Sequence, residues 1–443
     1  MSTPLPDGFR IALDPSAKQL ADDLWFGGSP ARVVRLTAAG QLAWRELAAG
    51  PVASPAAGML ARRLTDAGLA HPVPPAVGSP EVTVVIPVRD RPLSLARCLA
   101  ALDGRHPVLV VDDGSRDARA VAVVVDRYGA KLVRRPANGG PAAARNTAAA
   151  QVTTELIAFL DSDCVPVPGW VDALTPHFAD PKVAAVAPRI TDAGLDLGGQ
   201  PARVLPNTRV AYVPTAALLV RRELVSFDPA LRVGEDVDLI WRLHEAGWRI
   251  RYEPSVRIGH TAPDSVGGRL IRRFRYGTSA APLALRHPNS VPPLVLHPWP
   301  ALTVLALLFR RPVLAVLAFG MSVLTMVRTL RKANIPARGV LRAMATAVYQ
   351  TWRGIGHYGV QFAAPVVAAA AIRRPLAAGS LLLGPALTAW LARSPRPEPV
   401  RFLLGNLAED IAYGAGVWTG CVSAHTTIPV RPVLAWRPLR IEK

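Results

Sequence analysis

Pro107-Val108-Leu109-Val110-Val111-Asp112-Asp113-Gly114-Ser115 is an apolar run that ends in two carboxylates and a glycine. The apolar residues read as a buried strand, and Gly114 lets the chain turn tightly behind them. The same texture extends to both sides. Val82–Pro87 reads as a strand, 92–103 as a helix, 116–128 as a helix and Lys131-Leu132-Val133 as a third strand. A helix over about 140–151 and the strand Leu156–Leu160 complete the alternation. Short apolar strands separated by helices predict a parallel sheet with ligand sites at the strands' C-terminal ends, where the polar motifs fall.

Three of those motifs carry carboxylates. Asp112 and Asp113 can accept hydrogen bonds from a nucleobase or a ribose; a plain strand-to-helix turn with an Asx cap would also use them. Phe159-Leu160-Asp161-Ser162-Asp163 ends a strand in two carboxylates one residue apart. If the segment stays extended, both side chains point the same way and can hold one divalent ion, Mg²⁺ or Mn²⁺, which completes its shell with diphosphate oxygens and water. Gly234-Glu235-Asp236-Val237-Asp238-Leu239 opens an apolar-periodic helix. Acidic residues there either offset the helix dipole or include a general base that takes a proton from an acceptor hydroxyl. Between these motifs, Asn138-Gly139-Gly140 turns into a helix carrying Arg145, which is either a surface arginine or one aimed at a nucleotide or diphosphate.

The ordered set Val84-Val85-Ile86-Pro87, Val111-Asp112-Asp113-Gly114-Ser115, Asn138-Gly139-Gly140 with Ala144-Arg145-Asn146, Asp161-Ser162-Asp163 and Glu235-Asp236 resembles family 2 glycosyltransferases. The resemblance implies a nucleotide-sugar-binding α/β domain of the GT-A kind over 81–262, with inverting, metal-dependent transfer. It places nucleotide contacts at Pro87, Val88, Asp112, Asp113, Asn138 and Arg145, and the metal on Asp161 and Asp163. Asp161 counts among the donor contacts as well. Asp236 falls on the base, with Glu235 beside it. His260, in Ile258-Gly259-His260, falls where some relatives place a histidine near metal or diphosphate; a lone histidine also serves as ordinary structure. The Q-x-x-R-W of the processive branch is missing. Arg272 and Arg275 stand in about that place as diphosphate-binding cations, which speaks against a long extruded polymer.

The rest of the chain differs in texture. Residues 1–72 read as a small α+β docking module with helices at about 37–49 and 54–68, the second closed by Gly68. A proline-rich linker, 73–80, follows. Residues 263–443 are apolar and largely helical, with stretches at 299–309, 312–327, 360–372 and 375–392 that would span a membrane, lie in its interface or pack as buried helices. The net charge of +19 is uneven: 29 Lys and Arg stand against 27 Asp and Glu in residues 1–261, but 22 against 5 thereafter. Basic residues flanking apolar runs point to an anionic cytoplasmic membrane surface rather than nucleic acid. Three scattered cysteines, in no CxxC pair, speak against a disulfide framework or zinc site. Residues 1–10 lack a signal peptide's apolar core, so the catalytic part is expected on the cytoplasmic side of the cell membrane.

Leu24-Trp25-Phe26-Gly27-Gly28-Ser29-Pro30-Ala31-Arg32-Val33-Val34-Arg35-Leu36 and Arg275-Tyr276-Gly277-Thr278-Ser279-Ala280-Ala281-Pro282-Leu283 carry a closer resemblance. Together with the family 2 domain they are similar to the glycosyltransferases of the mycofactocin system. That likeness implies β-linked transfer of glucose from UDP-glucose onto a peptide-derived redox cofactor precursor, extended to a short oligosaccharide. The first 70 residues are similar to small, winged-helix-like peptide-binding domains, which would dock the acceptor. Competing readings are a family 2 transferase acting on a lipid or cell-envelope polysaccharide, and a membrane scaffold with a dead transferase domain. No G-x-G-x-x-G follows Val82–Pro87 and no phosphate loop occurs, so a dehydrogenase or P-loop enzyme lacks support.

Overall fold

The computed structural model describes residues 3–442, except 77, 79, 192–193, 261–264, 289, 292, 394–395 and 437–439. The expected border at 262 and two residues of the expected linker, Val77 and Ser79, lie outside the described residues. The chain divides into two compact units, residues 1–262 with 442–443, and residues 263–441.

A mixed sheet organises the first unit, in the spatial order Cys164–Pro166, Arg249–His260, Val183–Ile190, Ala217–Arg221, Leu156–Leu160, Val82–Val88, Val108–Asp112, Lys131–Arg134. The last four strands are parallel, with Val84 opposite Val108, Leu109 opposite Lys131, and Val82 opposite Leu156. Val84, Ile86, Val110, Ala158 and Leu160 join one buried core with Leu95, Cys98 and Val121 of the covering helices. Each helix starts where the sequence supplies a cap: Asp117 accepts from the Ala120 amide, and Pro92 and Pro141 occupy first-turn positions.

The expected parallel order holds for these four strands, and the strands of the other half, which the sequence reading did not assign, include antiparallel pairs. Ala217–Arg221 runs antiparallel between Leu156–Leu160 and Val183–Ile190, and Cys164–Pro166 runs antiparallel to Arg249–His260. A strand covered on both faces is a continuous apolar run whichever way it points, so its direction leaves no period to read. Both inversions matter for the site. The first brings Ala216 to the Asp161 amide at 2.9 Å, and the second sets His260 opposite Cys164.

Residues 10–73 form small antiparallel pairings around two helices, Ala38–Ala49 and Pro55–Asp66, capped by Thr37 and Ser54. Gly68 follows the second helix in the left-handed conformation, φ 71°. This segment belongs to the same compact unit as the sheet. Arg62 and Asp180, each 1% exposed, meet in a two-point ion pair at 2.7 and 2.8 Å. Asp66 receives Arg249 at 2.8 and 2.6 Å.

The second unit is helical. Val266–Thr278 crosses Pro399–Ser423 at glycines: a Cβ on Gly277 would lie 2.2 Å from the Tyr413 carbonyl, and one on Gly416 would lie 2.0 Å from that of Phe274. Pro312–Lys332, of 21 residues, and Val340–Arg373, of 34, are long and apolar enough to cross a membrane. The apolar stretch at 360–372 is thus the end of a longer helix, interrupted by non-helical Ala363 ahead of Pro365. Pro375–Leu391 reaches only 17 residues.

Removing one partner of a buried ion pair strands the other charge. Arg62→Ala should therefore lower unfolding free energy by about 3–5 kcal/mol, while Arg62→Ala with Asp180→Ala recovers part of that loss in a denaturant titration.

Candidate active site

The strand ends at Val88 and Asp112 are tied together before any ligand is considered. The Asp113 amide donates to the Val88 carbonyl at 2.9 Å. Asp112, 1% exposed, accepts from the Ser115 amide at 2.9 Å and from Arg134 Nη1 at 2.7 Å. It closes the turn and is almost wholly out of solvent. Asp113 accepts from the Gly139 and Gly140 amides at 3.0 and 2.8 Å and from Arg135. Gly114, at φ 71°, passes so close to Ala137 and Asn138 that a Cβ would sit 2.8 Å from their backbone. Asn138 Oδ1 also accepts from the Gly140 amide, at 3.0 Å. Pro87 is half-buried and Val88 is buried beside these loops. Arg134 and Arg135, absent from the expected site, are its basic side. Their signal was position: two arginines directly after a strand of the parallel half.

Asp113 thereby fixes the start of helix Pro141–Ala149, whose cap Gly140 has φ 85°. One turn further on stands Arg145. It is 3% exposed and donates to Asp161 Oδ1 at 2.8 Å and to Glu235 Oε1 at 2.9 Å, over the Phe227 ring. The surface-arginine reading fails. The extended reading of Asp161-Ser162-Asp163 fails too, because the Cys164 amide donates back to the Asp161 carbonyl at 2.9 Å and makes the segment a turn. Its two carboxylates consequently have different partners. Asp161 faces Arg145, whereas Asp163 meets Arg91 and lies 3.4 Å from His260 Nε2. Burial raises the Asp163 pKa, but the His260 hydrogen bond and the His260 and Arg91 charges prevail and hold it below its ordinary value.

Glu235 and Asp236 open helix Glu235–Glu245 after Gly234, φ 84°. Burial and the Asp236 charge push the Glu235 carboxyl up to about 7, against the opposing pull of Arg145. Asp236 is half-buried and raised as well, first by burial. Glu235 is committed to Arg145. Asp236 is engaged by the Val237 amide at 2.8 Å. Asp238, 2% exposed, binds Arg242 one turn on and supplies the ordinary helix-start role.

Ligand atoms of Asp163, Cys164 and His260 lie within 4.8 Å of one another. Burial pushes the Cys164 thiol up, and its Sγ donates to the Ala216 carbonyl at 3.4 Å, so it stays a protonated packing group. The donor set left is a carboxylate and an imidazole, with Asp161 across the turn; oxygen donors suit Mn²⁺ or Mg²⁺, and a histidine is the more compatible with Mn²⁺. Arg272 and Arg275 stand on helix Val266–Thr278 of the second unit.

A pre-mycofactocin glycosyltransferase of Mycobacterium tuberculosis is 37% identical over 97% of this chain and 99% of its own length. This chain belongs to that family. It is a glycosyltransferase of family 2, whose model, Glycosyl transferase family 2, matches residues 83–215. The match covers Asp112 to Asp163 and stops before Glu235. The O-antigen biosynthesis protein RfbC of Myxococcus xanthus is 29% identical over 45% of this chain and 19% of its own. Among solved structures, the mannosyltransferase PcManGT from Pyrobaculum calidifontis, in complex with GDP-Man and Mn²⁺, is 22% identical over 78% of this chain and 89% of that one, with a TM-score of 0.48. The mixed sheet with its covering helices is the α/β fold of the GT-A kind, followed by the helical region.

Because Arg145 opposes the upward shift at Glu235, Arg145→Ala should move the Glu235 titration further up. Carbon-13 NMR of labelled glutamate side chains, compared with Glu235→Gln for assignment, reads it; an unmoved titration would break the link.

Proposed function

We propose that this enzyme moves glucose from UDP-glucose, with inversion to a β linkage, onto the peptide-derived mycofactocin precursor and extends it to a short oligosaccharide. The observation that carries the reading is Arg145, which holds the Asp161–Asp163 turn beside the Glu235–Asp236 helix start. Identity to the mycobacterial enzyme over nearly the whole of both chains supports the acceptor class. The two apolar helices and the basic excess after residue 261 support a place at the cell membrane, with the catalytic unit on its cytoplasmic face.

In this mechanism Asp236 accepts the proton of an acceptor hydroxyl as that oxygen forms its bond to the anomeric carbon. The bond from the anomeric carbon to the diphosphate oxygen breaks on the opposite face, which inverts the configuration. Glu235, bound to Arg145, holds the helix start in place rather than sharing the proton transfer. Asp163 and His260, with Asp161, would hold Mn²⁺ or Mg²⁺, whose charge offsets that of the departing diphosphate. Arg135 and the amides around Asp113 orient the nucleotide, and the peptide acceptor docks on the N-terminal helices.

Asp163→Ala and His260→Ala should each lose Mn²⁺-dependent UDP binding in calorimetry; a variant binding as well with Mn²⁺ as wild type would remove that residue from the metal site. Asp236→Asn should keep donor affinity yet lose turnover by roughly 10²–10⁴-fold. A general base must be unprotonated, and burial raises the coupled Glu235–Asp236 pair. Because burial raises the Asp236 base, the acid limb of kcat/KM should accordingly lie above the pH of an ordinary carboxylate near 4.

A further inference from the structure

A concavity lies in the first unit, among elements that the transfer chemistry does not use. It is a groove of about 550 Å³ between helices Ala38–Ala49 and Pro55–Asp66. Its walls are made of small side chains, Ala39, Gly40, Ala43 and Ala56, with Leu60 and the 42%-exposed Met59. Small residues at these positions leave a hollow that a bulky apolar group from elsewhere would fill, and methionine adapts to what enters. The C-terminal end of the second helix is different. Arg63, in the last turn, Arg32, from strand Arg32–Arg35, and Arg203, from the strand Ala202–Arg203 of the main sheet, converge on the groove there.

The acidic member of that end, Asp66, is shared between Arg249 and Arg203. Its carboxylate is taken from below by Arg249 in a two-point pair at 2.8 and 2.6 Å. Arg203 donates to the Asp66 carbonyl at 2.9 Å, and its nearest approach to the carboxylate is 3.5 Å. Arg63 Nη2 is buried without a hydrogen-bond partner, and an unmet buried guanidinium N–H is costly unless an anion answers it. Burial, together with the Arg249 and Arg32 charges, lowers the Arg203 pKa against the pull of Asp66. The groove therefore combines an apolar hollow with a cationic end at which the Arg63 Nη2 has no hydrogen-bond partner.

We propose that this groove docks an acidic peptide segment of the acceptor, seating an apolar side chain in the Ala39–Ala43–Ala56 hollow and a neighbouring carboxylate on Arg63 and Arg203. The proposal rests on, and deepens, the reading of a peptide-derived acceptor. It makes the N-terminal helices a reader of sequence as well as a scaffold. Its occupant is fixed by chemistry: a neutral or basic peptide leaves Arg63 Nη2 unanswered, and a polar one leaves the hollow empty.

The test uses the full chain and a fluorescein-labelled hexapeptide, Gly-Ser-Gly-Leu-Val-Glu, alongside its neutral counterpart with Gln and an amidated C-terminus. Fluorescence anisotropy should show the acidic peptide binding at least about tenfold tighter than the neutral one. Arg63→Glu should abolish that preference. Ala39→Trp, at an exposed position of the groove wall, should weaken the acidic peptide by about tenfold by filling the hollow, without disturbing a core. Both variants should hydrolyse UDP-glucose at the wild-type rate. Equal affinity for the two peptides, or binding unchanged in both variants, would overturn the proposal. So would variants that bind the peptide normally but lose affinity for phosphatidylglycerol vesicles, since the basic end would then face lipid. Peptide binding lost in both variants, in an enzyme that transfers no sugar to any peptide-derived acceptor, supports the groove and strikes only the acceptor reading.

Discussion

The site is organised by one buried cation. Arg145 sits nearly out of water, where an uncompensated guanidinium would cost several kcal/mol, and Asp161 and Glu235 compensate it from two sides. Burial works against its charge, while Asp161, Glu235 and Asp236 hold the proton on. Those carboxylates come from segments 74 and more residues apart in sequence, so their shared partner is what makes the strand-end turn and the helix start into one site. The cation is itself placed by backbone geometry. Asp113 accepts the Gly139 and Gly140 amides, Gly140 takes a positive φ, and helix Pro141–Ala149 leaves the turn with Arg145 on its inner face.

This arrangement divides labour among carboxylates that look alike in sequence. Asp112 is spent on its own turn and on Arg134, and Asp113 on the glycine loop. Asp161 is shared with Arg145, and Asp163 pairs with His260. Glu235 is bound, which leaves Asp236 as the half-buried carboxylate of the pair with the fewest ties. A change of charge at Asp161, Glu235 or Asp236 acts on Arg145, which all three carboxylates hold protonated.

Much of this was legible in the sequence, and the boundary has physical causes. The parallel half of the sheet follows from short apolar runs alternating with capped helices, a pattern local enough to read. The antiparallel strand Ala217–Arg221 was not legible, because burial on both faces erases the period that would show its direction. Asp161 and Asp163 were marked correctly as a strand end, but the turn between them depends on the Cys164 amide and on pairing of Cys164 with His260, about 100 residues away. Arg145 could be placed on its helix; its burial could not, since both of its partners arrive through tertiary packing. Arg134 and Arg135 were overlooked because arginines after a strand are ordinary surface residues unless a buried carboxylate lies opposite.

The N-terminal helices are bound to the sheet through Arg62–Asp180 and Asp66–Arg249. The central claim concerns the chemistry: a single displacement assisted by Asp236, with no covalent sugar on the enzyme. Proton NMR of the anomeric signal, recorded as the first product forms from UDP-α-glucose, tests it most directly. A β-glucoside appearing from the earliest time point is the predicted result; an α-glucoside, formed with retention, would contradict the account.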